Sequence, residues 1–120
     1  MIKRTLVIGA SENPSRYSYK AIHKLKYYGH DVLALGLKSG NAEGTTIATG
    51  TLQFKDVDTV TLYLSEKNQQ PIEDYILSLK PKRIIFNPGA ENPSLKLKAE
   101  REGIETVEAC TLVMLSIGGY

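Results

Sequence analysis

The residues best equipped for chemistry lie near the start of the chain, in Gly9-Ala10-Ser11-Glu12-Asn13-Pro14-Ser15-Arg16, directly after the apolar run Thr5-Leu6-Val7-Ile8. Small residues between a strand and a helix let a ligand approach the backbone. The turn amides and the helix N-terminus that follows them attract an anion. Ser11 and Ser18 add hydroxyl donors, Arg16 offers a two-pronged guanidinium for a phosphate, and Tyr17 follows it at the helix entry. These residues predict a phosphate seat, with the Gly9 to Ser11 amides as its floor. The stretch departs from the dinucleotide fingerprint G-x-G-x-x-G, because Ser11 stands two places after Gly9 and the third glycine is missing.

The elements that must position this turn can be read from periodicity. Thr5 to Ile8 is a short continuous apolar run ended by glycine, the pattern of a strand buried on both faces. Ser18 to Tyr28 places Ala21, Ile22, Leu25 and Tyr28 at helical spacing, and Gly29 stops the helix. Val32 to Leu35 is a second strand, which completes a βαβ unit. Lys38 to Asp58, with Gly40, Gly44 and Gly50 between threonine-rich stretches, reads mostly as loop holding at most one weak strand. Further strands are expected at Thr59–Leu64, Arg83–Phe86 and Ile104–Val107. Helices are expected from Pro71 to Leu79, from Ser94 to Glu102 and from Thr111 to Ser116. Alternation of strands and helices with short connections predicts an α/β, Rossmann-like parallel sheet of about five strands with helices on both faces.

In such folds ligands bind beyond the carboxyl ends of the strands. Four strand ends therefore belong to one candidate site. The first is Gly9, Ala10 and Ser11 with Arg16, Tyr17 and Ser18; the second is Leu35, Gly36 and Lys38. The third, Tyr63, Leu64 and Ser65, offers an apolar wall and a hydroxyl; the fourth is the turn Asn87-Pro88-Gly89. NAD-binding sheets usually place an Asp or Glu after the second strand for the ribose hydroxyls. This chain has Lys38 there, which favours a phosphorylated ribose, as in an NADP-type ligand or coenzyme A.

The segments VIGASENPSRYSYKAIHKLKYYGHDVLALGLKSG, VDTVTLYL, KPKRIIFNPGAENP and GIETVEACTLVML together resemble the small stand-alone CoA-binding domain family, related to the CoA-binding domain of the succinyl-CoA synthetase α-subunit. The resemblance covers nearly the whole chain. It implies that Gly9, Ala10, Ser11 and Arg16 cradle the phosphates of coenzyme A or an acyl-CoA, with Lys38 near the adenosine end. Members of the family commonly carry Asn-Pro after the second strand, where this chain has Leu35-Gly36-Leu37. Part of the adenine pocket is then expected from Leu35, Tyr63 and Leu64.

Composition bounds what else the chain could be. Its 120 residues, 42% hydrophobic and 23% charged, suit one soluble globular domain spanning residues 1–120. The apolar runs are too short for a membrane span or a signal-peptide core, and a single cysteine cannot form an internal disulfide, so a cytoplasmic protein is expected. The net charge of +2 conceals an asymmetry, +5 over residues 1–40 and −3 over residues 41–120. Positive charge thus gathers around the opening turn, either because Lys20, Lys24 and Lys26 form the solvated face of a helix or as a local field suited to a polyanionic small-molecule ligand. No Arg/Lys-rich run is interleaved with aromatics, so no nucleic-acid partner is expected.

Catalysis would need an acid, base, nucleophile or metal beside the ligand. His23 falls inside the first helix and His30 before the second strand, at the far edge of the sheet, so neither is expected to act. Cys110 reads as a small buried hydrophobe. Its alternative is a thiol activated by the following helix and able to join the coenzyme thiol in a mixed disulfide. Glu91 is the carboxylate expected nearest the ligand. The sequence therefore predicts a non-catalytic binder of coenzyme A or acyl-CoA acting as carrier, sensor or regulatory module. Two other readings stay open: an NADP-dependent reductase with substrate contacts from Asn87 and Glu91, and an interaction protein on a vestigial nucleotide fold. The last would pair with a second copy or another protein through Leu112-Val-Met-Leu-Ser-Ile117.

Overall fold

A computed structural model describes residues 2–120. The chain runs β1 (Thr5–Ile8), α1 (Tyr17–Tyr27), β2 (Val32–Leu35), β3 (Gly40–Ala42), β4 (Thr45–Ala48) and β5 (Thr59–Leu62). It continues with α2 (Glu66–Gln69), a 3-10 turn (Gln70–Ile72), α3 (Glu73–Ser78), β6 (Arg83–Phe86), α4 (Pro93–Arg101), β7 (Glu105–Glu108) and α5 (Thr111–Ser116). All the strands join one seven-stranded sheet in the order β3-β4-β2-β1-β5-β6-β7. Every neighbouring pair is parallel except β3 with β4. The fold is Rossmann-like. The chain steps outward from β1 through β2 to β4 and then returns to lay β5 on the other side of β1, so strand order reverses between β1 and β5.

Alternation along the strands divides the core into two layers. On one face Leu6, Ile8, Leu35, Val60, Leu62, Ile84 and Phe86 pack with Tyr75 and Ile76 of α3 and Leu95 and Ala99 of α4. On the other, Val7, Ala34 and Ile47 pack with Ile22 and Leu25 of α1 and Leu115 of α5. The central strands β1 and β5 are buried at every position, which explains the continuous apolar run Leu6-Val7-Ile8 in β1, while in β5 buried Thr59 and Thr61 alternate with Val60 and Leu62. In α5 the same packing turns Leu115 inward and leaves Val113 and Ile117 exposed.

The sheet has seven strands rather than about five, and both additional strands come from the segment read as loop. Gly40–Ala42 and Thr45–Ala48 form a hairpin, with Ala42 opposite Thr45. Its two turn residues, Glu43 and Gly44, both have positive φ (53° and 80°), the requirement of a tight hairpin turn. A glutamate at the first of these positions is an unusual choice, so the Asn-Gly or Asp-Gly signal is missing. The helix expected from Pro71 to Leu79 starts earlier and is interrupted. Pro71 lacks an N–H to continue α2, and a 3-10 turn bridges to α3.

Candidate functional site

A cleft of about 950 Å³ opens beyond the carboxyl ends of β1, β5 and β6, at the place where strand order reverses. Its volume suits a nucleotide-sized ligand. It is lined by the opening turn except Pro14 (Gly9 to Asn13, then Ser15 and Arg16), by Tyr17 and Ser18, and by Leu37, Lys38, Tyr63, Leu64 and Pro88 to Ala90.

The turn is built by Gly9 and Asn13. Gly9 has φ of +93°, and a side chain there would press against the Tyr63 carbonyl group at 3.0–3.1 Å, so only glycine lets β1 turn beside the end of β5. Asn13 braces the loop beyond: its Oδ1 accepts from the Ser15 amide (3.0 Å) and hydroxyl (2.8 Å), its amide donates to Ser11 Oγ (3.1 Å), and its carbonyl accepts from the Arg16 amide (3.0 Å).

The donors facing the cleft differ from expectation. The amides of Gly9 and Ala10 both donate to the Leu35 carbonyl, each at 2.9 Å, and so are not open to a phosphate. Of the three expected turn amides only that of Ser11 has no partner among the described residues. The helix supplies the rest. Arg16 is an extended N-cap whose side chain makes no capping bond, which leaves the Tyr17, Ser18 and Tyr19 amides at the start of α1 without partners among the described residues. Ser11 accepts at its oxygen and keeps its O–H to donate. Arg16 is exposed and forms no ion pair among the described residues, and Ser18 is buried in the first helical turn. The Tyr17 ring stands exposed at the rim with Lys20 Nζ 5.2 Å from its centroid.

At the second strand end, Lys38 lines the cleft and Leu35 and Gly36 do not. Leu35 points into the core. Gly36 is a close-approach point, where a Cβ would come within 2.5 Å of the Ala10 carbonyl oxygen. These two hold the turn in place, and the exposed Leu37 takes the apolar position at the rim.

At the third end Tyr63 and Leu64 line the cleft; the Tyr63 amide joins β5 to Ile8 at 2.9 Å. Burial pushes the Tyr63 phenol well above its ordinary value, so it stays neutral across the physiological range. Ser65 lies outside the cleft as the N-cap of α2.

At the fourth end Pro88 and Gly89 line the cleft, while Asn87 turns inward. Asn87 Nδ2 donates to Thr61 Oγ1 (2.7 Å) and the Leu62 carbonyl (2.9 Å), and Oδ1 accepts from the Thr111 amide (2.8 Å). Asn87 ties β6 to β5 and to the start of α5. Glu91 is likewise used within its loop, its Oε1 accepting from the Gly89 amide at 2.9 Å.

Several participants were not singled out from sequence. Glu12, Asn13 and Ser15 lie inside the quoted turn, where a polar loop residue gives no sign of which way it faces. Ala90 simply follows the Asn-Pro-Gly turn. Behind the site, buried Gln69 donates to the carbonyls of Leu64 (2.8 Å) and Ala90 (2.7 Å), clamping two lining loops together.

The remaining reactive groups lie elsewhere. His23 Nδ1 pairs with Glu43 Oε1 at 3.0 Å on the outer face of α1. His30 Nδ1 accepts from the Lys3 amide at the opposite end of the sheet, and burial, with Lys3 and Arg83 nearby, lowers its pKa. Half-buried Cys110 is the N-cap of α5 and does not line the cleft. Among the described residues no three His, Cys, Asp or Glu side chains gather as a metal would require. Among the described residues no helix is long and apolar enough to cross a membrane.

Known proteins place this geometry. A crystallised uncharacterized protein is 48% identical, with a TM-score of 0.98, over 100% of this chain and 99% of its own. A hypothetical protein from Pyrococcus horikoshii OT3 shares the fold at 21% identity and a TM-score of 0.87, over 97% of this chain and 83% of its own. A dinucleotide-forming acetyl-coenzyme A synthetase from Ca. Korarchaeum cryptofilum, solved with phosphate and ADP, shares it at 17% identity and a TM-score of 0.71, over 89% of this chain and 25% of its own. No curated protein matches. The CoA binding domain family matches residues 3–116, nearly the whole chain, and the protein belongs to that family.

Proposed function

We propose that the protein binds coenzyme A or an acyl-CoA without transforming it, as a cytoplasmic carrier, sensor or regulatory module. The observation that carries this reading is the pair of Tyr17 and Ser18 amides at the start of α1, unpartnered among the described residues, flanked by Arg16 and belonging to residues that line the cleft. The pyrophosphate sits on the Tyr17 and Ser18 amides, with the Ser11 amide and hydroxyl and the Arg16 guanidinium completing its shell. Lys38 takes the ribose phosphate. The pantetheine arm follows the wall of Tyr63, Leu64, Pro88 and Ala90, where apolar atoms and backbone suit an amide-containing chain. The absence of transformation is supported by the positions of His23, His30 and Cys110 outside the cleft and by Glu91 being tied to the Gly89 amide.

Native mass spectrometry of freshly purified protein tests the reading. The expected result is a bound mass equal to coenzyme A or an acyl-CoA, retained or regained on addition of coenzyme A. A bound mass of NADP(H) in its place would transfer the cleft to reductase chemistry.

A further inference from the structure

The cleft contains one carboxylate among its lining residues, and that group has a defined seat. Glu12 extends from the opening turn to the start of β3, where its Oε2 accepts from the Asn41 amide at 3.2 Å. The side chain lies flat on Gly40, so closely that a Cβ at that position would collide with the Glu12 carboxyl group. A glycine at the head of β3 is thus what lets this carboxylate lie against the hairpin. Oε1 has no hydrogen-bond partner among the described residues, and Glu12 forms no ion pair there. Lys38, also without an ion pair among the described residues, lines the same cleft two residues before Gly40. The β2 end and the hairpin together therefore present one cation and one open carboxylate oxygen.

A lone phosphate would be served by the cation and opposed by the carboxylate. A phosphate with a hydroxyl on the adjacent carbon would be served by both, because a carboxylate is an acceptor and a hydroxyl a donor. We propose that Glu12 is a specificity-determining residue that selects a ribose phosphorylated at the 3′ position and free at the 2′ position. Its open oxygen accepts from the 2′-hydroxyl while Lys38 holds the 3′-phosphate. This rests on the coenzyme A reading above and adds a discrimination to it: a 2′-phosphate, as in NADP, would face the Glu12 charge. In NAD-binding sheets the corresponding acid follows the second strand. Here it comes from the first turn and lies against the head of β3.

The test uses adenosine 3′,5′-bisphosphate, adenosine 2′,5′-bisphosphate and 2′-deoxyadenosine 3′,5′-bisphosphate as probes, with coenzyme A as the reference ligand. The native protein should bind the 3′,5′ isomer about tenfold more tightly than the 2′,5′ isomer, the scale of one repulsive contact between close charges at a solvated site. Deleting the 2′-hydroxyl should weaken binding about tenfold, the scale of a hydrogen bond to a charged group. Glu12→Gln keeps an amide oxygen for Asn41 and removes the charge, so it should tighten the 2′,5′ isomer and close most of the gap. Equal affinity of the native protein for the deoxy and ribo 3′,5′ probes overturns the proposal without recourse to a variant. So does an unchanged isomer preference in Glu12→Gln. Coenzyme A binding alongside either result leaves the proposed function standing; failure of the native protein to bind coenzyme A removes the function itself.

Discussion

In the proposed complex Arg16 and Lys38 would divide the work of holding coenzyme A, each at a different phosphate. Both are solvent-facing cations without ion pairs among the described residues, so replacing either removes charge without stranding a buried partner. Lys38→Gln should weaken coenzyme A about tenfold while leaving its 3′-dephospho form nearly unchanged. Arg16→Gln should weaken both forms to the same degree, because both retain the pyrophosphate. Titrating each variant with the two ligands separates the roles. Asn87 shows where residue type alone misleads. An asparagine in an Asn-Pro-Gly turn at a strand end is equally suited to a ligand and to a buried bracket, and only the direction of the side chain decides. Here its amide is fully engaged by Thr61, Leu62 and Thr111. The amides of Gly9 and Ala10 carry the same lesson, since a backbone donor's availability depends on the neighbouring strand and not on its own sequence.

Between elements, a polar relay holds the cleft's rear wall. Gln69 at the end of α2 binds the Leu64 and Ala90 carbonyls, Asn92 Nδ2 donates to Gln69 Oε1 (3.0 Å) and Glu73 Oε2 (2.9 Å), and Lys98 Nζ reaches Glu73 Oε1 (2.9 Å). Burial acts to raise the Glu73 pKa, but the hydrogen bonds from Asn92 and Lys98 and the Lys98 charge prevail, holding the carboxyl below its ordinary value. The relay links α2, α3 and α4 to the loops after β5 and β6. Gln69→Ala strands the buried hydrogen-bonding site at the Ala90 carbonyl and a part-buried one at Leu64, and should lower stability by about 1–3 kcal/mol. It should also raise hydrogen exchange around Leu64 and Ala90 more than around Gly9. Urea unfolding and exchange mass spectrometry check the two parts. None of this was legible in sequence, where Gln69 and Asn92 look like ordinary loop residues. The β3–β4 hairpin was missed for a related reason: its strands are short and its turn uses Glu43-Gly44.

At the scale of the molecule the legible part was the architecture. Apolar runs in β1, β2, β5 and β6, each followed by a turn and then a helical pattern or the next unit, are enough to require a parallel sheet with both faces covered. That sheet brings its strand ends together whatever the loops do, and for this reason the cleft was located before its donors were. The two core layers meet across β1, whose turn forms the cleft's floor, so a ligand bound at Gly9 to Ser18 would engage the centre of the fold.

Coenzyme A binding is the central claim, and calorimetric titration of the native protein with coenzyme A, its 3′-dephospho form and NADPH tests it most directly. Saturable one-to-one binding of coenzyme A is expected, with the dephospho form weaker by about tenfold, as loss of a charge-assisted contact to Lys38 requires, and NADPH weaker again. Binding of NADPH as tight as that of coenzyme A, or no heat from coenzyme A at millimolar concentration, would contradict it.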